Sequence, residues 1–489
     1  MIEKYYSGVI EQIYNRIGKE TRNIVMANYS NDFSIENLEV IGRYQSNEDN
    51  VFFAYGEFSY NTLVGAYEPF LDIICNMHRR FIGGSFDDFQ KECGVYYLHR
   101  QVLNSYYETG ECFREETVLL NEVAYEQRRM TMAIADMLKK LSEVKPLMIV
   151  INRFQMASKS SIETIKYLID NPCTNIGIVL GVNALVRGTD STVEVWDRIV
   201  ESLEDRSAIY YIGSAGQLKN NIRDTSDDEL YITTNFEQSI QEASNIMEFL
   251  DYEQARRGCR IIEHKIKFEN AWIDEKSLRR FYLVYARTSV LLGEMSKAIE
   301  LMNEYKALIP ENDSEHYFSL YYFMKGTCYM YQGKLEKAEG CAKKAYDYAL
   351  LADDELLEFK SELLSVMIKM SGWYNIFFCV QDIPVSDEII EKLIKHGYRN
   401  HLAHIYIYAY DNSRDVVKQS FYDESLLKHF TKGLELAKEI GNEQLVYDAY
   451  QKTIMLASTS GLNEIAFLYV IRTYEFMKGH GNIYVARLQ

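Results

Sequence analysis

At 489 residues, nearly half of them apolar, the chain exceeds one ordinary hydrophobic core and implies two or three domains. Its formal net charge of −18 opposes phosphate-rich partners, because nucleic-acid affinity comes mainly from Lys and Arg neutralising phosphates, so DNA and RNA are excluded. No stretch approaches the roughly 20 uninterrupted apolar residues that cross a bilayer as a helix, and no membrane partner is expected.

The first 20 residues, MIEKYYSGVIEQIYNRIGKE, are amphipathic and lack the unbroken apolar run and small-residue cleavage site of a secretion signal. Short apolar runs then predict strands at Asn23 to Ala27, Asn50 to Tyr55, Leu147 to Ile151, Ile176 to Val182 and Ala208 to Ile212. Helical patterns such as EVAYEQRRMTMAIADMLKKLSE and SSIETIKYLID lie between them. Strands alternating with helices imply a parallel sheet covered on both faces, an α/β domain over residues 1–225. A polar, acidic stretch from Asn221 to Leu230 is the candidate linker, residues 226–280 read as a helical linker or the first helices of an array, and 281–489 read as helix pairs. Eight cysteines without a C-x-x-C pair predict reduced thiols in a cytoplasmic protein. His401 and His404, three apart on a predicted helix, have no regularly spaced acidic or cysteine partner and read as ordinary helix histidines, so no metal is expected.

The strongest periodicity is in the second half. Gly293 and Ala298 recur 40 residues later as Gly333 and Ala338, and Tyr322, Gly326, Tyr329, Ala342 and Ala345 complete the second unit. Weaker matches follow near Gly372 and at Tyr450, Gly461 and Ala466, while ALLADDEL and AKEIGNEQL look like equivalent turns between units. This spacing resembles the tetratricopeptide repeat, in which small residues let paired helices approach closely. The period exceeds the usual 34, which longer helices would explain. The resemblance implies a helical solenoid whose exposed concave surface holds a protein or peptide.

In the first half, PLMIVINRFQMASKSSIETIKYLI resembles the Walker B region of the signal-transduction ATPases with numerous domains, through Phe154, Gln155, Ala157 and Ser161. Gly56, Tyr67, Pro69 and Phe70 fit the same family's second strand and following helix start. The resemblance covers about residues 20–220 and implies a P-loop-like fold. Its chemistry is not carried over. Asn152 and Arg153 stand where the family places an acidic pair that holds Mg²⁺ and orients water, and Ser158 replaces an Asp. Asn183 stands where an arginine would sense the phosphate. After the first strand the phosphate loop should carry G-x-x-x-x-G-K-S/T, yet Thr21 to Ile41 contains neither Gly nor Lys, and Asn28, Asn31 and Ser34 occupy that region.

The expected fold class is therefore α/β plus all-α: a parallel-sheet, P-loop-like domain followed by a tetratricopeptide-like solenoid. The expected function is non-catalytic bacterial signalling by a pseudo-ATPase that uses no cofactor, resembling the sensory half of clostridial diguanylate cyclases, with a protein or peptide partner and the option of a homo-oligomer. Two rivals are a nucleotide-switched ATPase with a non-standard loop and a passive scaffold.

Overall fold

A computed structural model describes residues 2–29, 40–41, 44, 50–58, 63–112, 123–183, 209–211, 235–268, 273–312, 314–374, 386–408, 424–459 and 461–480. Among the described residues the chain is mostly helical, with one parallel sheet in its N-terminal half. Contacts divide it into two compact units: Met1–Thr117 with Glu126–Leu292, and Val118–Tyr125 with Gly293–Gln489.

The sheet of the first unit consists of β1 (Ile24–Tyr29), β2 (Phe52–Glu57), β3 (Leu147–Asn152), β4 (Ile176–Asn183) and β5 (Ile209–Tyr211). Its order is β2-β3-β4-β1-β5, and every pairing is parallel. β3, LMIVIN, is buried along its whole length, as a strand covered on both faces must be. Each fully buried Ile or Val there contributes on the order of 1.5–3 kcal/mol of hydrophobic stabilisation.

Amphipathic helices supply the covering layers. In α1 (Ile2–Arg16) the buried residues Tyr6, Val9, Ile10 and Ile13 recur at helical spacing. This helix crosses β4 at Gly177, where a Cβ would lie 2.9 Å from Ile13 and Ile17 side-chain carbons. Helices α2 (Phe70–Met77), α3 (Phe86–Glu92) and α4 (Tyr97–Thr109) follow β2, and α5 (Val123–Val144) precedes β3. The buried positions Met130, Ile134, Met137, Leu138 and Leu141 make α5 a long core-facing helix that ends before Pro146. α6 (Lys159–Asp170) then leads to β4.

The stretch expected as a linker or the first helices of an array holds α7 (Phe236–Glu248) and α8 (Tyr252–Phe268), which belong to the first unit together with α9 (Glu275–Leu291). α7, α8 and α9 pack on one another. An ion pair of 2.8 Å joins Arg287 to buried Glu248, and Gln127 on α5 donates a 2.6 Å hydrogen bond to the Leu250 carbonyl. The linker candidate Asn221 to Leu230 lies outside the described residues.

The second unit contains α10 (Met295–Ala307), α11 (Ser314–Tyr331), α12 (Leu335–Leu351), α13 (Glu355–Tyr374), α14 (Asp387–Lys395), α15 (Arg399–Tyr408), α16 (Glu424–Glu439), α17 (Glu443–Thr459) and α18 (Asn463–His480). Among these helices, α10 to α13 and α14 to α18 each pack on the next in chain order, α13 also meets α14, and α11 additionally meets α13, as α15 meets α17. α11 and α12 are 18 and 17 residues long, which accommodates the 40-residue period.

Candidate functional site

β1 is followed in sequence by β2 and β4 by β5, so the chain leaves these two adjacent strands in opposite directions along the sheet. An open parallel sheet has its ligand crevice outside the carboxyl ends of such a pair. The register brings Asn28 opposite Val182 and Tyr29 opposite Asn183, and β3 lies on the other side of β4. Three positions that the ATPase resemblance assigns to nucleotide chemistry, Asn28, Asn152 and Asn183, therefore stand on neighbouring strand ends. Asn31 and Ser34 lie outside the described residues.

The β3 end has a definite chemistry. Asn152 is fully buried. Its Nδ2 donates to Glu57 Oε1 at 3.1 Å, and its Oδ1 accepts the Arg153 backbone N–H at 2.9 Å. Glu57 is the residue paired with Asn152 across the β2–β3 ladder, so strand register alone makes the two side chains neighbours. Arg153 has left-handed backbone angles, φ 54° and ψ 38°, at the turn into a short 3-10 segment, Phe154–Met156. Its guanidinium lies 3.3 Å from Glu57 Oε1, and the Tyr55 hydroxyl donates to Glu57 Oε2 at 2.7 Å. Amide, guanidinium and phenol thus converge on one carboxylate.

This arrangement does not fit a Mg²⁺–nucleotide group. Such a site needs carboxylate oxygens free to bind the ion and orient water. Here a guanidinium and an amide stand at the two positions where the ATPase resemblance expects acids, and Glu57 is ion-paired with Arg153. Among the described residues no group of three or more His, Cys, Asp or Glu is placed to hold a metal ion. Sequence reasoning missed Glu57 because it lies 95 residues upstream of Asn152, on another strand. The signal that could have found it is the parallel register of two strands that both end in polar residues.

Ser158 does not face this cluster. It caps α6, accepting the Ser161 backbone N–H at 3.4 Å. Its hydroxyl lies 2.9 Å from that of Ser160 and 3.0 Å from that of Ser161. The Ser161 hydroxyl donates to the Glu68 carbonyl at 2.8 Å, and Ser160 Oγ accepts from the Tyr67 backbone N–H at 3.0 Å. Asp251, in the α7–α8 turn, accepts from the backbone amides of Ser160 at 3.1 Å and Gln254 at 3.4 Å. One buried carboxylate thereby serves the N-termini of two helices, α6 and α8, where helix dipoles favour negative charge. Burial nevertheless pushes its pKa above the usual carboxylate range, while the Ser160 hydrogen bonds oppose the shift. Lys159 and Glu253 add an ion pair of 2.9 Å across the same junction.

A second perturbed carboxyl lies beside this junction. Burial, reinforced by the like charges of Asp72 and Glu242, raises Glu68 to about 7, with the Gly65 backbone hydrogen bond acting the other way. Sequence reasoning passed over it, since nothing in YEPF marks the Glu as even partly buried.

The repeat-signature residues of the second unit have structural roles. Ala298, Ala338 and Ala345 are fully buried, and Gly293, Gly333 and Gly461 hold φ values of 78°, 71° and 73° at interhelix turns, a conformation that suits glycine. A Cβ on Gly326 would lie 2.9 Å from Leu364, 3.4 Å from the Ala338 carbonyl and 3.4 Å from Cys341, so α11 and α12 meet through glycine. Tyr322 stacks on Tyr348 at 5.7 Å, and Tyr329 is partly buried against the cluster of Met330, Ala338, Leu364 and Ile368. The two similar turns also match in detail. Asp353 and Gly441 have φ of 54° and 69°, and the next residues, Asp354 and Asn442, cap their helices by accepting from Leu357 N at 2.9 Å and Leu445 N at 3.0 Å.

His401 and His404 are both buried on α15. His404 Nδ1 lies 3.1 Å from the Asn400 carbonyl one turn earlier. Burial lowers its pKa to about 3, so the ring is neutral.

Compared with known proteins, the chain matches no family model, and no curated protein is similar to it in sequence.

Proposed function

We propose that this chain is a non-catalytic regulatory protein of bacterial signalling, in which an ATPase-like α/β unit serves as a docking or relay fold and the helices of the second unit form a tetratricopeptide-like solenoid that binds a protein or peptide. The observation that carries the reading is the Glu57–Asn152–Arg153 cluster. It occupies the strand end where the ATPase resemblance would require acids, and an internal ion pair there leaves no carboxylate for Mg²⁺.

The strand order supports the P-loop-like part by setting the ends of β1, β3 and β4 side by side. Contacts between helices nearest and next-nearest in sequence, together with the two matching Asp354 and Asn442 caps, support the solenoid. A solenoid without chemistry of its own acts through its surface, which is why a macromolecular partner is favoured over a small substrate.

The test is phosphate release from ATP and GTP by the full chain with Mg²⁺. The expected rate is the uncatalysed background. A protein-dependent rate that disappears in a Glu57→Ala variant would replace this reading with an active nucleotide hydrolase.

A further inference from the structure

α18 carries two opposite apolar faces. One, through Ala466, Tyr469, Thr473 and Phe476, turns inward, with Tyr450 of α17 in edge contact with Tyr469 at 5.7 Å and Phe476 at 6.0 Å. The other presents Phe467, Leu468, Val470, Ile471 and Tyr474 to solvent, Phe467 and Tyr474 each 66% exposed. Spacings of three and four residues place them on one stripe of the helix, which also carries exposed Glu475 four residues after Ile471.

An equivalent helix in the same chain shows that the repeat pattern does not require this stripe. Gly333 and Ala338 at the start of α12 correspond to Gly461 and Ala466 at the start of α18. In that alignment Phe467, Leu468 and Ile471 stand where α12 has Glu339, Gly340 and Lys343, all exposed. Stacking a further repeat would ask for an apolar residue at the place of buried Ala342, which Val470 fills, but not at the exposed places of Glu339, Gly340 and Lys343. Apolar residues there call for a partner outside the repeat geometry.

The ends of the stripe identify that partner. Exposed Glu464 lies seven residues before Ile471, and exposed Lys478 seven after it. All three fall on the same face, two helical turns apart. Placed antiparallel to itself about Ile471, the helix sets Glu464 against the partner's Lys478 and Lys478 against the partner's Glu464. Ile471 then meets the partner's Ile471, and Leu468 lies level with the partner's Tyr474. A two-fold interface requires this kind of self-complementarity, in which one patch satisfies its own copy.

We propose that two copies of the chain associate through α18, antiparallel across a two-fold axis at Ile471. A single pair of 18-residue helices, about 27 Å long, forms a small interface, so the association is of the weak, reversible class.

The test is sedimentation equilibrium of the full chain between about 1 and 100 μM, the range that brackets such affinities. The expected result is a concentration-dependent dimer. Ile471→Glu sets two carboxylates on the axis and weakens association at least about tenfold; because Ile471 is exposed, the protomer still folds. Glu464→Lys or Lys478→Glu alone creates two like-charge contacts and weakens it roughly three- to tenfold, whereas the double reversal, or a mixture of the two single variants, returns it to within about twofold of the original. A protein that stays monomeric at 100 μM, or a double reversal as weak as either single one, overturns the proposal. The charge series tests the same antiparallel geometry without altering the apolar stripe.

Discussion

Glu68 offers a stability test with a definite sign. Its carboxyl is raised from 4.5 to about 7, chiefly by burial and then by Asp72. Below pH 4.5 it is protonated in the folded and unfolded chain alike, and its contribution is fully present. As pH rises to 7 the unfolded chain ionises while the folded one keeps its proton, and stability is lost at about 1.4 kcal/mol per pH unit. The loss levels off above pH 7 at about 2–3 kcal/mol, since the side chain is only partly buried by surface area. Glu68→Gln keeps the shape and an acceptor for the Gly65 amide without a charge to ionise. Urea unfolding at pH 4.5 and pH 8, followed by circular dichroism, should show the variant matching the parent in acid and exceeding it by about 2–3 kcal/mol at pH 8. An equal effect at both pH values would refute the assignment of the shift to ionisation in a buried, acidic setting.

Three further outcomes follow from the packing. Gly326→Val should destabilise the second unit by about 2 kcal/mol through overpacking against Leu364 and the Ala338 carbonyl, while Gly326→Ala should stay within about 1 kcal/mol because alanine's helix preference offsets the tighter contact; urea midpoints separate the two. Ser158→Ala removes the α6 cap and a hydroxyl shared with Ser160 and Ser161, and should lower stability by about 1 kcal/mol in the same assay. His404, lowered to about 3, contributes stability present above pH 6.5 that is lost as pH falls toward 3. Between pH 6.5 and 5 the parent should therefore lose about 2 kcal/mol that a His404→Gln variant does not, measured by urea unfolding at both values.

The strands were legible in the sequence for a physical reason. Runs such as LMIVI and IGIVLGV are continuous and β-branched because a parallel sheet buries both faces, and each of the five predicted runs overlaps a strand of the sheet. The interhelix turns at Gly293, Gly333 and Gly461 were legible because glycine takes positive φ at no steric cost. The attachment of α7 and α8 to the first unit was not legible. It rests on scattered contacts around the α7–α8 turn, among them the Gln127 bond to the Leu250 carbonyl, the Lys159–Glu253 ion pair and buried Asp251, and an Asp before a helix reads from sequence as an ordinary cap. Glu57 was invisible for a related reason: its partnership with Asn152 and Arg153 arises from strand register, which local sequence does not encode. The outward stripe of α18 is concealed by its second apolar face, since a helix apolar on two sides reads as simply buried.

The central proposal is that the β2–β3 strand ends, where Arg153 pairs with Glu57 beside Asn152, hold no Mg²⁺–nucleotide. Isothermal titration of the full chain with ATP and ADP, with and without Mg²⁺ and up to millimolar nucleotide, tests it most directly. No binding heat and no shift in unfolding temperature is the predicted result. A Mg²⁺-dependent, saturable heat accompanied by thermal stabilisation would contradict it.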